Sequence, residues 1–376
     1  AAEVLEESVS RATQQVLNDR GLRAATQPKV DLVNADEAAD LEFKVELELL
    51  PEIALPDLAG LHLTRLKAEA SDEAVDKALG ELAKRQRDLV PVEEDRGAET
   101  GDVLTVDFIG RIEGVAFPGG TGTDMNVEVG GSGFIPGFSE QMAGMKPGET
   151  RTIAVSFPAE YGVADLAGKA AEFEVTAKAL QRPVVPAVDE ALAEKLGFEG
   201  GLSALRDAVR QQIQREYDQM ARMKVKRSLL DALAERADFA VPEGMVAPEF
   251  EQIWQRVEAE LKEGRLDEDD QGKDEATLRA EYRAIAERRV RLGLLLAEIG
   301  RANGVQVTQD ELLREMRAEA MRYPGQERKV MEFFGKNPQA AESLRGPIYE
   351  EKVVDFILEL AQVEDRPATP EELSAP

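Results

Sequence analysis

The sequence predicts a multidomain α+β protein, and three observations carry that prediction. The chain has 376 residues, enough for two or three domains at about 150 residues each. From about residue 98 to 182 glycine is frequent and apolar runs are short, the texture of antiparallel strands joined by tight turns. After Pro186 apolar residues recur at helical spacing almost without a break. Ahead of both regions stands a shorter α/β segment.

That first segment, residues 1–55, opens on an amphipathic helix over 1–20. Leu5, Val9, Ala12 and Val16 recur at steps of three and four, and Gly21 supplies the cap. Residues 41–49 then alternate strictly. Leu41, Phe43, Val45, Leu47 and Leu49 take one side and Glu42, Lys44, Glu46 and Glu48 the other, which predicts a half-buried strand stopped by Pro51. One helix and one strand make a poor core. Since the chain also begins at Ala1 rather than Met, the segment is expected to be the later half of a domain.

Residues 56–97 are expected to be a linker containing a helix. PEIALPDLAG (51–60) reads as extended, and over 71–90 Ser71 caps a helix whose face carries Val75, Leu79 and Leu82. In 98–182 the expected strands are 103–109, 125–129, 150–156 and 172–180. All phenylalanines of the first half except Phe43 fall in this domain, and Pro183 and Pro186 mark its exit. Over 183–363 the expected helices are 202–237, 246–263, 274–302, 308–322 and 339–362. Thr308 and Glu311 form a capping box ahead of Leu312, Leu313 and Met316. Gly304 caps the third helix, and Trp254 shares a face with Phe250, Ile253, Val257 and Leu261. The tail 364–376, acidic and proline-rich, is expected to be disordered.

Composition removes whole classes of chemistry. With 46 basic against 74 acidic residues the net charge is −28, a field that repels DNA and RNA. No cysteine means no disulfide, thiolate site or Cys nucleophile, and a single histidine, His62, leaves no histidine cluster or catalytic triad. His62, between Leu61 and Leu63, reads as a surface or interface residue on a strand. No run of 18 apolar residues predicts a membrane span, and the first ten residues lack the pattern of a signal peptide, so the expected location is cytoplasmic. Three near-motifs fail. GVADLAGKA (162–170) has Ala170 where a phosphate loop needs Ser or Thr, DEDDQG (267–272) leads to Leu278 instead of a bidentate Glu, and GGTGTD (119–124) lacks dinucleotide-loop spacing. No cofactor and no metal are expected.

The middle region carries a sharper signal. Its strings VDFIG (106–110), the hairpin ending in Phe117, VGGSGFIPGF, GMKPGE and FPAEYG resemble the FKBP-type peptidyl-prolyl isomerase domain in order and spacing. The resemblance implies an antiparallel β domain with a short helix. It also implies an apolar proline pocket built from Phe108, Phe117, Met125, Phe134, Ile135, Phe138, Tyr161 and Phe173. Two positions depart from the stand-alone members: the pocket floor, Trp in many of them, is Phe138, and the acid that often follows the hairpin Phe is Pro118. The order of segments, with strings such as VPEGMVAPEFEQIWQRV and ERRVRLGLLLAEIGRANGVQVTQDELLREM, resembles bacterial trigger factor along essentially the whole chain.

That resemblance implies a remnant of an N-terminal ribosome-binding domain and an all-α C-terminal chaperone domain with arms forming an open cradle. The implied function is ATP-independent holding of newly made proteins, in folding and export, with isomerase activity. The partners the resemblance implies are unfolded or nascent polypeptides and a ribosome exit-site protein, with a second copy of the chain as a further candidate and neither DNA nor membrane expected. The family's GFRxGKxP-type docking loop has no counterpart string here. Met220, Met223, Met316, Met321, Met331, Phe333, Phe334, Ile348, Val354 and Ile357 are candidate client contacts. The rival reading is a dedicated isomerase whose helical arms only dimerise or scaffold.

Overall fold

The computed structural model describes residues 2–34 and 40–376; Ala1 and residues 35–39, both inside the first expected segment, lie outside the described residues. The helix α1 (Ala2–Asp19) is followed by β1 (Lys29–Asn34) and β2 (Glu42–Glu46), an antiparallel pair. The strand expected over 41–49 is thus shorter. Phe43 and Val45 turn inward as the alternation requires, while Leu49 makes only an isolated bridge to Ala24.

β3 (His62–Lys67) leads to α2 (Asp72–Arg85), whose N-cap Ser71 accepts the Ala74 N–H. The expected helix ends early because residues 88–91 are spent on β4 (Asp88–Pro91). β5 (Val103–Ile112), β6 (Val115–Glu128), β7 (Thr150–Ser156) and β8 (Ala170–Val184) complete a five-stranded antiparallel sheet. Its order is β4, β8, β5, β6, with β7 alongside β8. The long β8 pairs with β5 along one edge and with β7 and then β4 along the other. The short helix is a single 3₁₀ turn, Glu140–Met142, anchored by the fully buried Met142. Leu104, Val106, Val127, Ile153, Phe173 and Val175 form the centre of the core.

Then come α3 (Glu190–Lys195), α4 (Gly201–Arg236), α5 (Glu243–Lys262), α6 (Glu275–Ala302) and α7 (Gln309–Ala320). The capping box of Thr308 and Glu311 closes the start of α7, and Gly304 after α6 has φ 68°. α8 (Glu327–Lys336), which the sequence reading did not anticipate, lies ahead of α9 (Pro338–Glu342) and α10 (Arg345–Leu360). The last two replace the one helix expected over 339–362.

The tail is ordered, against expectation. β9 (Gln362–Pro367) pairs in parallel with β3, placing Val363 opposite Leu63, and α11 (Pro370–Ser374) starts at a capping box of Thr369 and Glu372. Leu373 is buried. Acidic composition hid one inward valine, one inward leucine and a cap, which suffice once a partner strand exists.

Two compact units result: residues 69–217, and residues 1–68 with 218–376. This division cuts across the segments expected from sequence. In the first unit α2, α3 and the start of α4 share Val75, Leu79, Ala193 and Leu205. In the second, the end of α4, α6, α10 and β3 bury Leu229, Leu233, Leu295, Ile299, Val353, Ile357 and Leu63. The α5–α6 hairpin has its own core around Trp254, and α7, α8 and the start of α10 close around Leu312, Met316 and Phe334.

Candidate functional site

A cavity of about 420 Å³ opens in the sheet domain, lined by Phe108, Phe117, Gly119, Gly120, Ser132, Gly133, Phe134, Ile135, Pro136, Phe138, Phe157, Pro158, Tyr161, Leu166 and Phe173. Each ring arrives by a local rule. Phe108 follows Leu104 and Val106 at a period of two on β5, and Phe173 leads Val175 in the same way on β8. The loop 129–138 carries Phe134, Ile135 and Phe138. It is pinned by the Phe138 N–H to the Ile135 carbonyl (3.0 Å), the Ser139 hydroxyl to the Gly131 carbonyl (2.8 Å), and the Gln141 amide to the Gly137 and Ala154 carbonyls. The turn after β7 brings Phe157 and Tyr161.

The rings form one connected set. Phe138 and Phe173 meet edge to face at 5.0 Å and are nearly fully buried, making the floor. Phe108 stands over both, 5.7 and 5.9 Å away, and Phe117 meets Phe173 at 6.0 Å. Phe134 stacks on Phe138 at 5.5 Å. On the far wall Phe157 packs on Phe117 (5.8 Å) and Tyr161 (4.9 Å). Such edge-to-face pairs fix ring orientation as well as burying area. Apart from the Tyr161 phenol no lining side chain is ionisable. The Ile135 N–H and the Tyr161 hydroxyl have no hydrogen-bond partner among the described residues.

The cavity therefore gathers Phe108, Phe117, Phe134, Ile135, Phe138, Tyr161 and Phe173, but not Met125. Met125 stands opposite Val106 on β6, is 41% exposed, and lies outside the cavity beside Gly122. Phe157 and Leu166 were missed. Phe157 stands in the string FPAEYG, so the signal was in view; nothing in its spacing says that its ring turns toward Phe117. Among the candidate client contacts, Met316, Phe334, Val354 and Ile357 are buried in cores, whereas Met223, Met321 and Phe333 are exposed.

Fold and pocket define the class: residues 94–178 match the family of FKBP-type peptidyl-prolyl cis-trans isomerases. Residues 1–82 match the family described as bacterial trigger factor protein, and residues 201–359 match its C-terminus. The trigger factor of Granulibacter bethesdensis is 66% identical over 373 residues, spanning 99% of this chain and 84% of that protein. That of Gluconacetobacter diazotrophicus is 62% identical over 375 residues with the same coverage. A solved structure from work on promiscuous substrate recognition in folding and assembly by the trigger factor chaperone superposes with a TM-score of 0.60. It covers 93% of this chain and 82% of its own, at 18% identity, and so supports the fold. The chain belongs to the trigger factor family, chaperones with an FKBP-type isomerase domain. A match along the whole length disfavours the reading in which the helices are mere scaffold. Among the described residues no helix is long and apolar enough to cross a membrane.

Proposed function

We propose that the aromatic cavity is the seat of prolyl isomerisation. Phe138 and Phe173 form its floor, Phe108, Phe117 and Phe134 its walls, and Ile135 and Tyr161 hold the substrate backbone. The observation that carries this is a connected ring set around a cavity with two unpaired donors at its rim. Rotation about a peptide bond is opposed by roughly 18–20 kcal/mol because the C–N bond has partial double-bond character. Twisting decouples the nitrogen from the carbonyl and makes the amide less dipolar, so an apolar cage favours the twisted form over the planar one. The rings also exclude water, and the donors keep the flanking chain fixed while one side turns. No nucleophile or proton transfer is required.

In this reading the preferred substrate has an apolar residue before proline. Phe138→Ala opens a cavity at a cost of roughly 3–5 kcal/mol for a buried ring and should abolish turnover of a proline tetrapeptide. Unchanged rates with the fold intact would refute the assignment. The isomerase acts beside chaperone work in the cytoplasm. Unfolded or nascent polypeptides meet exposed Met223, Met321, Tyr323 and Phe333, and the N-terminal segment addresses the ribosome.

A further inference from the structure

We propose that Asp107, Asp124 and Lys178 are positioning residues for the pocket: on the opposite face of the sheet and out of reach of substrate, they hold the β6 bulge that sets the Phe108 and Phe117 rings. The proposal rests on reading the cavity as the proline site.

Residues directly opposed on neighbouring strands share a face of the sheet. Val127 opposes Leu104 and Met125 opposes Val106, but Gly122 opposes Phe108. Two steps along β5 are thus matched by three along β6, so β6 carries an extra residue there, a bulge. The bulge changes which β6 residues face the pocket, from odd to even numbers. A second shift, between Ile109 and Arg111, changes it back and returns Phe117 to the pocket side.

Both rings then lie over bare backbone. A Cβ on Gly122 would come within 2.6 Å of the Phe108 ring, and one on Gly110 within 2.9 Å of the Phe117 ring. Without the first bulge, a one-residue slip would turn the following β6 positions to the wrong face and put a side chain beneath Phe108.

The bulge needs support. Asp124 has φ 51°, a left-handed conformation that costs a residue with a side chain about 1 kcal/mol or more. Its N–H, displaced from the ladder, donates to the Asp107 Oδ1 at 2.8 Å. Asp107 sits between Val106 and Phe108, so its side chain points away from the pocket. Across β5 a matching irregularity occurs on β8, where Thr105 opposes Ala179 and Val106 opposes Ala177, leaving Lys178 extra. The Lys178 Nζ reaches the Asp107 Oδ2 at 3.0 Å and the Asp124 Oδ1 at 2.7 Å. One ammonium thus ties two bulges together across the strand that bears Phe108. The three side chains are 37–68% exposed, where ion pairs add little stability, so their effect is on geometry.

The test is steady-state isomerase kinetics on an X-Pro tetrapeptide with thermal unfolding of each variant. Asp107→Ala should lower kcat/KM about tenfold, the scale expected of a small displacement at a site, with a cooperative unfolding transition retained. Adding Asp124→Gly, which adopts positive φ without help, should restore most of that loss. Lys178→Met keeps the bulk and removes the charge, and it should lower kcat/KM in the same direction; it decides alone if Asp107→Ala does not fold. Wild-type kcat/KM in both single variants, beside an inactive Phe138→Ala, would overturn the positioning role and leave the pocket reading standing. A loss that Asp124→Gly does not restore would overturn the bulge as its route. An active Phe138→Ala would instead overturn the pocket reading, and this proposal with it.

Discussion

Tyr161 shows how much a single residue can contribute. Its ring belongs to the far wall through Phe157, while its hydroxyl has no partner among the described residues and its side is 38% exposed. Removing that hydroxyl leaves the packing intact and takes away only a bond that substrate would make. Tyr161→Phe should therefore leave the unfolding temperature unchanged and lower kcat/KM on a proline tetrapeptide about fivefold, the value of one modest hydrogen bond. A fall in stability with no change in rate would assign the hydroxyl to the fold instead. At this scale the cavity rings Phe108, Phe138 and Phe173 were named from ordered strings that resemble the FKBP-type domain, whereas Phe157, in such a string too, was passed over. Met125 stands on the same face as Val106 and Phe108 but does not line the cavity, and how far along that face the cavity reaches leaves no trace in hydrophobic pattern.

Elements were legible where they carry their own signals and obscure where a partner supplies them. Ser71, Thr308 and Gly304 mark helix ends by local chemistry, and the structure places the caps there. β9 and α11 are held mainly by β3 and two inward residues, so composition alone read them as a tail. The turn joining α5 to α6 lies between these cases. Its acidic string DEDDQG resembled a cation loop, yet Asp270 is spent within the hairpin, accepting from the Tyr282 hydroxyl at 2.5 Å and pairing with Lys273 at 3.2 Å. The Tyr282 bond, with smaller help from Lys273, holds the Asp270 carboxyl below its usual range, and the same bond together with burial pushes the Tyr282 phenol up to about 12. A carboxyl depressed on folding stabilises above its unfolded value near 4, and the gain disappears as pH falls through the lower folded value. A phenol raised on folding stabilises below its unfolded value near 10, and that gain disappears as pH rises through about 12. Tyr282→Phe should thus cost about 1–2 kcal/mol on the plateau between, with the difference from wild type shrinking at both extremes. Denaturant titrations of the two proteins across pH would check this, and a difference independent of pH would refute the hydrogen bond as its source.

At the scale of the whole molecule, order along the chain did not predict which segments share a core. β3 and β9 pair through residues 300 apart, as in the Arg65–Asp365 ion pair, and α4 lends its first half to one core and its second half to another. Neither partnership has a local signature, because parallel pairing and helix sharing depend on which surfaces remain uncovered elsewhere. Net charge, by contrast, is legible at once and bears on ribosome contact. A ribosomal surface presents RNA phosphate, which a chain of charge −28 meets with repulsion unless a local basic element overrides the field. In the proposed reading the N-terminal segment meets that surface, and its bases are Arg11, Arg20, Arg23, Lys29 and Lys44. Arg11 pairs with Glu7, Arg23 with Glu298, Lys29 with Asp31 and Lys44 with Glu46, which leaves Arg20 alone without an ion pair among the described residues. Charges already neutralised by carboxylates release few counterions on meeting phosphate. These 376 residues should therefore sediment with ribosomes only weakly at low salt, and with few counterions to release the bound fraction should stay low at physiological strength. Stoichiometric co-sedimentation that persists at physiological salt would show that docking relies on apolar contact, and would move the search from the bases of this segment to its exposed Val30, Leu32 and Val33.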